Sequence, residues 1–195
     1  QIVGHVRNLR NGSSKLAEAQ SGGAHRAEHV DLAPARIELA ESEPHNWLTY
    51  SGSYDSRRYS SLDDINADNV ADLKLAWSLQ LGTNEEYVET SPIVVDGTMY
   101  LSAPASDVLA VDAATGELLW RYARSVPKDV PVCCGPVNRG VAVLGDRVFI
   151  GTLDGYLVAL DANSGRVAWE VKVADYRAGY SITAAPLAVR DKIIV

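Results

Sequence analysis

The sequence is poor in several features, and each shortage excludes a class of protein. Its only two cysteines, Cys133 and Cys134, are adjacent, so it contains neither a multi-disulfide framework nor a C-x-x-C redox pair. No apolar run approaches the roughly 20 residues that cross a bilayer, so we predict no transmembrane segment. Lysine and arginine are scattered, and the formal net charge of −7 disfavours binding to nucleic acid or to an anionic membrane surface.

The two ends of the sequence are typical of a piece of a longer protein. It begins with Gln1, and its last residues, "APLAVRDKIIV" (185–195), stop inside a predicted strand. We therefore expect an N-terminal fragment that is truncated at its C-terminus. Residues 1–45 are rich in Ala, Gly, Ser, His and Glu with weak periodicity, which predicts a poorly ordered or marginally helical leader. Residues 46–195 are predicted to form the folded domain.

An internal repeat organises that domain. "VLAVDAATGELLWRY" (108–122) recurs 49 residues later as "LVALDANSGRVAWEV" (157–171). Each copy is accompanied by paired short apolar runs around a two-residue turn, in "SPIVVDGTMYL" (91–101), "GVAVLGDRVFI" (140–150) and "APLAVRDKIIV" (185–195). Each unit therefore predicts two hairpins, or four short antiparallel strands.

Four-stranded units at this spacing are typical of β-propeller blades, so we predict an all-β protein with a β-propeller fold. About three units fit between residues 75 and 195, fewer than the four or more blades that a closed ring needs. Trp77, Trp120 and Trp169 end the outer hairpins of successive units. Their large flat side chains are predicted to pack between neighbouring sheets.

Polar residues precede the first strand of each unit in equivalent positions. Glu89 and Thr183 each lie three residues before a proline, and the 49-residue shift aligns Glu89 with Asn138, which Arg139 follows. Because the first strand of a blade lines the central channel, these side chains are predicted to meet at one mouth of the ring around one ligand. The alternative for each is a solvated or turn-capping role.

The adjacent cysteines allow two interpretations. Neighbouring Cα atoms lie about 3.8 Å apart, below the roughly 4.4–6.8 Å of ordinary disulfides, so a bridge between them would close a strained ring. Such strain is typical of ligand sites. The alternative is a pair of reduced, buried thiols that pack as small hydrophobic groups. Zinc is poorly supported, because the spacing does not match C-x₂₋₄-C and no further ligand is nearby in the sequence.

Several segments together resemble the pyrroloquinoline-quinone (PQQ)-dependent alcohol dehydrogenases, the methanol and ethanol dehydrogenase family of quinoproteins. The resemblance runs from Trp47 to Val195 and is carried by "WLTYSGSYDSRRYSSLDDINADNVADLKLAW", "VETSPIVVDGTMYL", "VLAVDAATGELLW", "CCGPVNRG" and "YSITAAPLAV". The cysteine pair followed by arginine is the most specific of these. The resemblance implies an eight-bladed propeller that holds PQQ in its axial channel, flat against a disulfide of adjacent cysteines, with Ca²⁺ or a lanthanide beside it.

The resemblance also implies roles for individual residues. Cys133 and Cys134 would form the disulfide platform. Glu89, Arg139 and Thr183 would contact the polar edge of PQQ, whose carboxylates and carbonyls accept hydrogen bonds. A carboxylate such as Glu89 beside an anionic ligand must be protonated, paired or bonded to a donor. The metal ligands and the catalytic base are expected beyond Val195, so no catalytic residue and no metal ligand is assigned in this chain.

The implied reaction is the oxidation of a primary alcohol, with electrons passed to a cytochrome c. The cofactor and a disulfide both suit a bacterial periplasm. The chain alone, with about half of the site, is expected to be inactive. One alternative is a non-catalytic propeller scaffold, which explains the repeats but not the cysteine pair together with Arg139 and Thr183. The other is a PQQ-dependent sugar dehydrogenase, which the cysteine pair disfavours.

Overall fold

The computed structural model describes residues 26–82, 88–132 and 134–195, together with the backbone of residues 2–8. One α-helix, α1 (Pro34–Glu38), and 3₁₀ turns at Ala40–Ser42, Val70–Asp72, Pro104–Ser106 and Tyr176–Ala178 lie in these ranges. The strands are β1 (Ile2–Asn8), β2 (Leu73–Leu79), β3 (Ile93–Val95), β4 (Thr98–Ala103), β5 (Asp107–Asp112), β6 (Leu118–Tyr122), β7 (Ala142–Leu144), β8 (Arg147–Gly151), β9 (Tyr156–Asp161), β10 (Val167–Lys172), β11 (Leu187–Val189) and β12 (Lys192–Ile194). Among the described residues, none of the helices has the length and apolar character to cross a membrane.

Two four-stranded antiparallel sheets occupy most of the described chain. The first blade runs β3-β4-β5-β6 and the second β7-β8-β9-β10, each in sequence order, and β11 and β12 form the first hairpin of a third unit. Before the first blade, β2 pairs antiparallel with β1. The predicted all-β propeller fold is thereby confirmed. The described part holds two complete blades, the first hairpin of a third unit and the pair formed by β1 and β2.

The segment before the first blade is folded, which differs from the predicted leader over residues 26–45. Its side chains Val30, Leu32 and Ile37 are at most 2% exposed and join the same hydrophobic cluster as the inner strands. Residues 9–25 lie outside the described ranges. This segment folds onto the blades because removing its apolar side chains from water is favourable, by about 25 cal/mol per Å² of apolar surface buried.

This segment also forms hydrogen bonds with the innermost strand of each unit. Trp47 and Val94 exchange backbone hydrogen bonds of 2.9 and 3.0 Å, and Leu32 and Gly145 exchange two of 2.8 Å. Farther along, the Tyr54 hydroxyl donates to the carbonyl of Ala188 at 2.7 Å. Residues 26–54 therefore satisfy backbone groups on the inner edges of three consecutive units and hold those units together.

Arg36 fastens this segment to the first hairpin. Its guanidinium donates to both carboxylate oxygens of Asp96, at 2.8 and 2.6 Å, and to Glu43 at 2.6 Å. These hydrogen bonds hold the pKa values of Asp96 and Glu43 below their usual range. A carboxyl whose pKa is lowered by folding stabilises the protein at neutral pH, and that contribution is lost as the pH falls through the folded-state value.

Tryptophans connect neighbouring units, as predicted for Trp77 and Trp120. The Trp77 indole N–H donates to Ala113 O at 3.2 Å, and that of Trp120 donates to Ala162 O at 2.9 Å. Each ring covers a turn of the unit that follows it. Trp169 packs on Phe149 of its own blade, with ring centroids 5.8 Å apart, and is 44% exposed.

Replacing Gly165 by alanine is expected to destabilise the protein, because the turn at Gly165 lies directly under the Trp120 ring. Gly165 has a φ of +70°, and an added Cβ would lie 2.5 Å from the ring of Trp120. The left-handed backbone and the displaced indole should together lower the free energy of unfolding by about 3 kcal/mol. Denaturant unfolding of the full-length protein measures this change.

Gly179→Ala is the matched control for that substitution. Gly179 also has a positive φ, +90°, but an added Cβ would meet nothing within 4 Å. Gly179→Ala should lower the free energy of unfolding by about 1 kcal/mol, because only the backbone contribution is lost. Equal losses for the two variants would contradict a close tryptophan contact at Gly165.

Candidate functional site

Backbone hydrogen bonds join the three segments that precede the inner strands. The N–H of Ser91 donates to Arg139 O at 3.0 Å, and the N–H of Arg139 donates to Thr183 O at 2.9 Å. The segments that enter the inner strands are thus linked from one unit to the next. The three segments therefore lie side by side at the same end of the inner strands, and their meeting at one mouth of a closed ring stays a prediction.

The Arg139 guanidinium brings three of the predicted site residues together. It donates to Thr183 Oγ1 at 3.0 Å and forms an ion pair with Glu89 Oε2 at 3.0 Å. The side chains of Arg139 and Glu89 are 43% and 44% exposed, so the pair can be reached from solvent. The Glu89 carboxylate is therefore paired with Arg139. The role of this group towards a ligand stays a prediction.

Asn138, which the repeat aligns with Glu89, does not face the mouth. It is 3% exposed, and its amide Nδ2 donates to the carbonyl of Gly151 at 2.8 Å. Arg139 therefore supplies the polar side chain of the middle unit. The carboxamide of Asn138 is turned inward, and the next side chain along the chain, that of Arg139, is the one open to solvent.

The cysteine pair is described only in part. Cys133 lies outside the described residues, so the disulfide remains a prediction. Cys134 is exposed, which contradicts the interpretation of two buried thiols for this residue. Two residues farther along, Pro136 O accepts a hydrogen bond from the N–H of Ala105 at 3.0 Å, and Val137 is 4% exposed. The chain that follows the cysteines is therefore anchored on the first blade.

The chain between β6 and β7 connects the first blade to the second. A nearly buried ion pair anchors the beginning of this connection, and sequence reasoning missed it. Arg124 follows the outer strand of the first blade and donates to both carboxylate oxygens of Asp154, at 2.8 and 2.7 Å. Their side chains are 10% and 9% exposed. Burial raises the pKa of Asp154, but the hydrogen bonds from Arg124 and Thr152 hold it below its usual range. The two partners lie 30 residues apart in different blades, and neither falls in a recognisable motif.

A cavity of about 290 Å³ lies beside Arg139, between the segment before the first blade and the start of the third unit. Ala184, Ala185, Pro186 and Leu187 form one part of its wall. Most of the rest carries hydroxyl groups, on Thr49, Tyr50, Ser51, Ser53, Tyr54 and Ser56. The volume is close to the lower end of the roughly 300–1,000 Å³ typical of ligand pockets. Sequence reasoning did not place these hydroxyls near Arg139, because their approach depends on how residues 26–54 cross the inner strands.

Comparisons with known proteins agree on one family. Residues 47–195 match the PQQ family model, described as the β-propeller domain of glucose/ethanol/alcohol dehydrogenases. The quinoprotein alcohol dehydrogenase PedH of Pseudomonas putida is 41% identical over 169 residues, which are 86% of this chain and 28% of PedH.

Solved structures give the same result. The quinohemoprotein alcohol dehydrogenase ADHIIG from Pseudomonas putida HK5 is 45% identical with a TM-score of 0.77, over 85% of this chain and 24% of that one. A europium-containing methanol dehydrogenase is 38% identical, also with a TM-score of 0.77, over 82% of this chain and 28% of that one. The chain thus spans about a quarter of the length of these relatives.

Proposed function

This chain belongs to the family of PQQ-dependent alcohol dehydrogenases, and from that membership we propose that the full-length protein oxidises primary alcohols with PQQ as cofactor. The observation that carries the proposal is the convergence of Glu89, Arg139 and Thr183 at the channel mouth. These are the residues that the resemblance assigns to the polar edge of PQQ.

The donors of this cluster fit a flat anionic ligand. The guanidinium of Arg139 is planar, permanently charged and half exposed, and such a group suits the carboxylate and carbonyl oxygens of PQQ. Thr183 places a hydroxyl 3.0 Å from it. The ion pair with Glu89 neutralises the charge of the guanidinium, so this cluster would hold an anion through its hydrogen-bond donors rather than through a net positive charge. When bound, PQQ would supply the two-electron redox chemistry of the reaction.

The remaining parts of the site are also proposals. We place PQQ against a disulfide between Cys133 and Cys134, with Ca²⁺ or a lanthanide whose ligands lie beyond Val195. Within the described ranges, no group of three or more His, Cys, Asp or Glu residues could hold a metal ion. A small alcohol as substrate, a cytochrome c as electron acceptor and a periplasmic location complete the proposal.

Alcohol is the favoured substrate class over sugar. The family model covers glucose as well as alcohol dehydrogenases and does not separate the two. The quinoprotein PedH, the quinohemoprotein ADHIIG and the europium-containing protein are named as alcohol or methanol dehydrogenases. The likeness to these proteins supports an alcohol as the substrate.

Reconstitution of the full-length protein tests the proposal. With PQQ and Ca²⁺, it should reduce an artificial electron acceptor when ethanol is added. Replacing both Cys133 and Cys134 by alanine should lower that rate by about tenfold to hundredfold, because the cofactor loses its rigid support.

Two outcomes would contradict this proposal. One is ethanol oxidation by protein shown by absorbance and mass spectrometry to contain no PQQ. The other is a faster rate with glucose than with ethanol under the same conditions, which would favour the sugar dehydrogenase.

A further inference from the structure

Asn138 is a buried carboxamide directly beside the exposed guanidinium of Arg139. Its Nδ2 donates to the carbonyl of Gly151, the last residue of β8, at 2.8 Å. Its Oδ1 accepts from the N–H of Gly140 at 3.1 Å. Both ends of the carboxamide are therefore engaged by backbone groups of the second blade. A side chain used in this way shapes the chain around it rather than contacting a ligand.

These bonds determine the backbone conformation at Arg139. The bond from Gly140 to Asn138 spans two residues, so it closes a turn of the Asx type around Arg139. Gly140 has a φ of +137°, which side chains of L-residues rarely adopt. The backbone N–H and carbonyl of Arg139 are bonded to Thr183 and Ser91 of the neighbouring units. The backbone is thus held from three directions while the guanidinium stays half exposed.

A second buried group ties Asn138 to the segment that carries Glu89. Ser102 is fully buried, and its hydroxyl donates to the carbonyl of Asn138 at 3.1 Å. Its backbone N–H donates to Thr90 Oγ1 at 3.0 Å, and the two hydroxyls lie 3.1 Å apart. Since Thr90 follows Glu89 directly, this network sets the separation between the two partners of the Glu89–Arg139 ion pair.

We propose that Asn138 is a positioning residue for Arg139, whose buried carboxamide holds the guanidinium between Glu89 and Thr183 and thereby raises the affinity for PQQ. This inference rests on the proposed function. Its physical basis is that a binding group must be held within about 0.5 Å of its productive position by groups that are themselves immobile. Asn138 meets that condition because its own hydrogen bonds are buried.

The test uses the full-length protein and a double-mutant cycle. PQQ is titrated into cofactor-free protein, and quenching of tryptophan fluorescence reports binding. Asn138→Ala should weaken binding about tenfold, a change that corresponds to about 1.4 kcal/mol. In an Arg139→Ala background, the same change should have almost no further effect, because Asn138 acts through Arg139. An equal loss in both backgrounds would overturn the proposal.

A second measurement needs no cofactor. The rate at which phenylglyoxal modifies Arg139, followed by peptide mass spectrometry, should rise by about threefold or more in Asn138→Ala, since the guanidinium is released from its partners. An unchanged rate would refute the positioning role even if PQQ binds. Conversely, failure of the unmodified protein to bind PQQ would refute the proposed function, while a raised labelling rate would still support the positioning of Arg139.

Asn46→Ala is the matched control. Asn46 is also a buried asparagine, 7% exposed, and its Oδ1 accepts from the N–H of Asp96 at 2.8 Å. It lies at the opposite end of β3 from the Glu89 segment. Its replacement should lower the unfolding temperature as Asn138→Ala does, without changing PQQ affinity or Arg139 labelling. The same changes in both readouts would show general destabilisation and overturn the proposal.

Discussion

Changing Arg139 to alanine in the full-length protein is expected to weaken PQQ binding about hundredfold, close to the upper end of what a charged hydrogen bond contributes. The variant loses the donor to the anionic cofactor. It also leaves the Glu89 carboxylate without its positive partner, since in the unmodified protein this carboxylate lies 3.0 Å from the guanidinium. Both effects disfavour an anion at the channel mouth. Fluorescence titration of cofactor-free protein measures the change.

Three further variants separate these contributions. Arg139→Lys should restore part of the affinity, because it keeps the charge but not the planar set of donors. Adding Glu89→Gln to Arg139→Ala should also restore part of it by removing the uncompensated carboxylate. Arg177→Ala changes an exposed arginine that stacks on Tyr176 and should leave affinity unchanged. If Arg139→Ala bound PQQ as tightly as Arg177→Ala, the assignment of the channel mouth would be wrong.

Changing Asp154 to alanine is expected to lower the free energy of unfolding by about 3 kcal/mol. The Arg124 side chain is 10% exposed and would lose both of its hydrogen bonds to Asp154. Its remaining carboxylate partner, Glu170 at 3.0 Å, is half exposed and compensates little. Denaturant unfolding of the full-length protein measures the loss.

The pH dependence provides an independent check on Asp154. Its pKa is lowered in the folded protein, so its contribution is present at neutral pH and is lost as the pH falls through the folded-state value. The stability difference between the unmodified protein and Asp154→Asn should therefore shrink on acidification. A difference that grew on acidification would contradict the assigned ion pair.

Two controls distinguish a buried pair from a surface pair. Asp191 pairs with Lys192 where both side chains are largely exposed, and Asp191→Ala should leave the unfolding temperature unchanged. The double variant Arg124→Met with Asp154→Leu should recover most of the lost stability, because an apolar pair of similar volume removes the buried charge. Equal stability of Asp154→Ala and Asp191→Ala would show that the pair contributes nothing.

The two predicted effects meet in the connection between the first and second blades. Arg124 fixes its beginning, while Asn138 fixes its end beside Arg139. Cys134 lies between these anchors. Anchors at both ends restrict the conformations open to the chain between them, which would reduce the ordering that a ligand must impose when it binds.

The sequence by itself determined the repeating unit, because hairpins depend on contacts between near neighbours. The alternating apolar runs and two-residue turns predicted four strands per unit, and the structure has them in two complete sheets. The repeat, with a proline three residues after each of them, also placed Glu89 and Thr183 in equivalent positions, and the motif "NRG" placed Arg139 near them. Equivalence along the repeat held for Glu89 and Thr183, but in the middle unit the exposed side chain is one residue farther on, at Arg139.

Tertiary structure alone decided how distant segments meet. Leu32 bonds to Gly145, and Arg124 to Asp154, across stretches of chain that carry no shared pattern. It also decided that Asn138 is buried while Arg139 is open to solvent. Alignment of the repeats gives the position of a residue along the chain. The direction of its side chain just before a strand depends on the hydrogen bonds that its backbone forms with the neighbouring units.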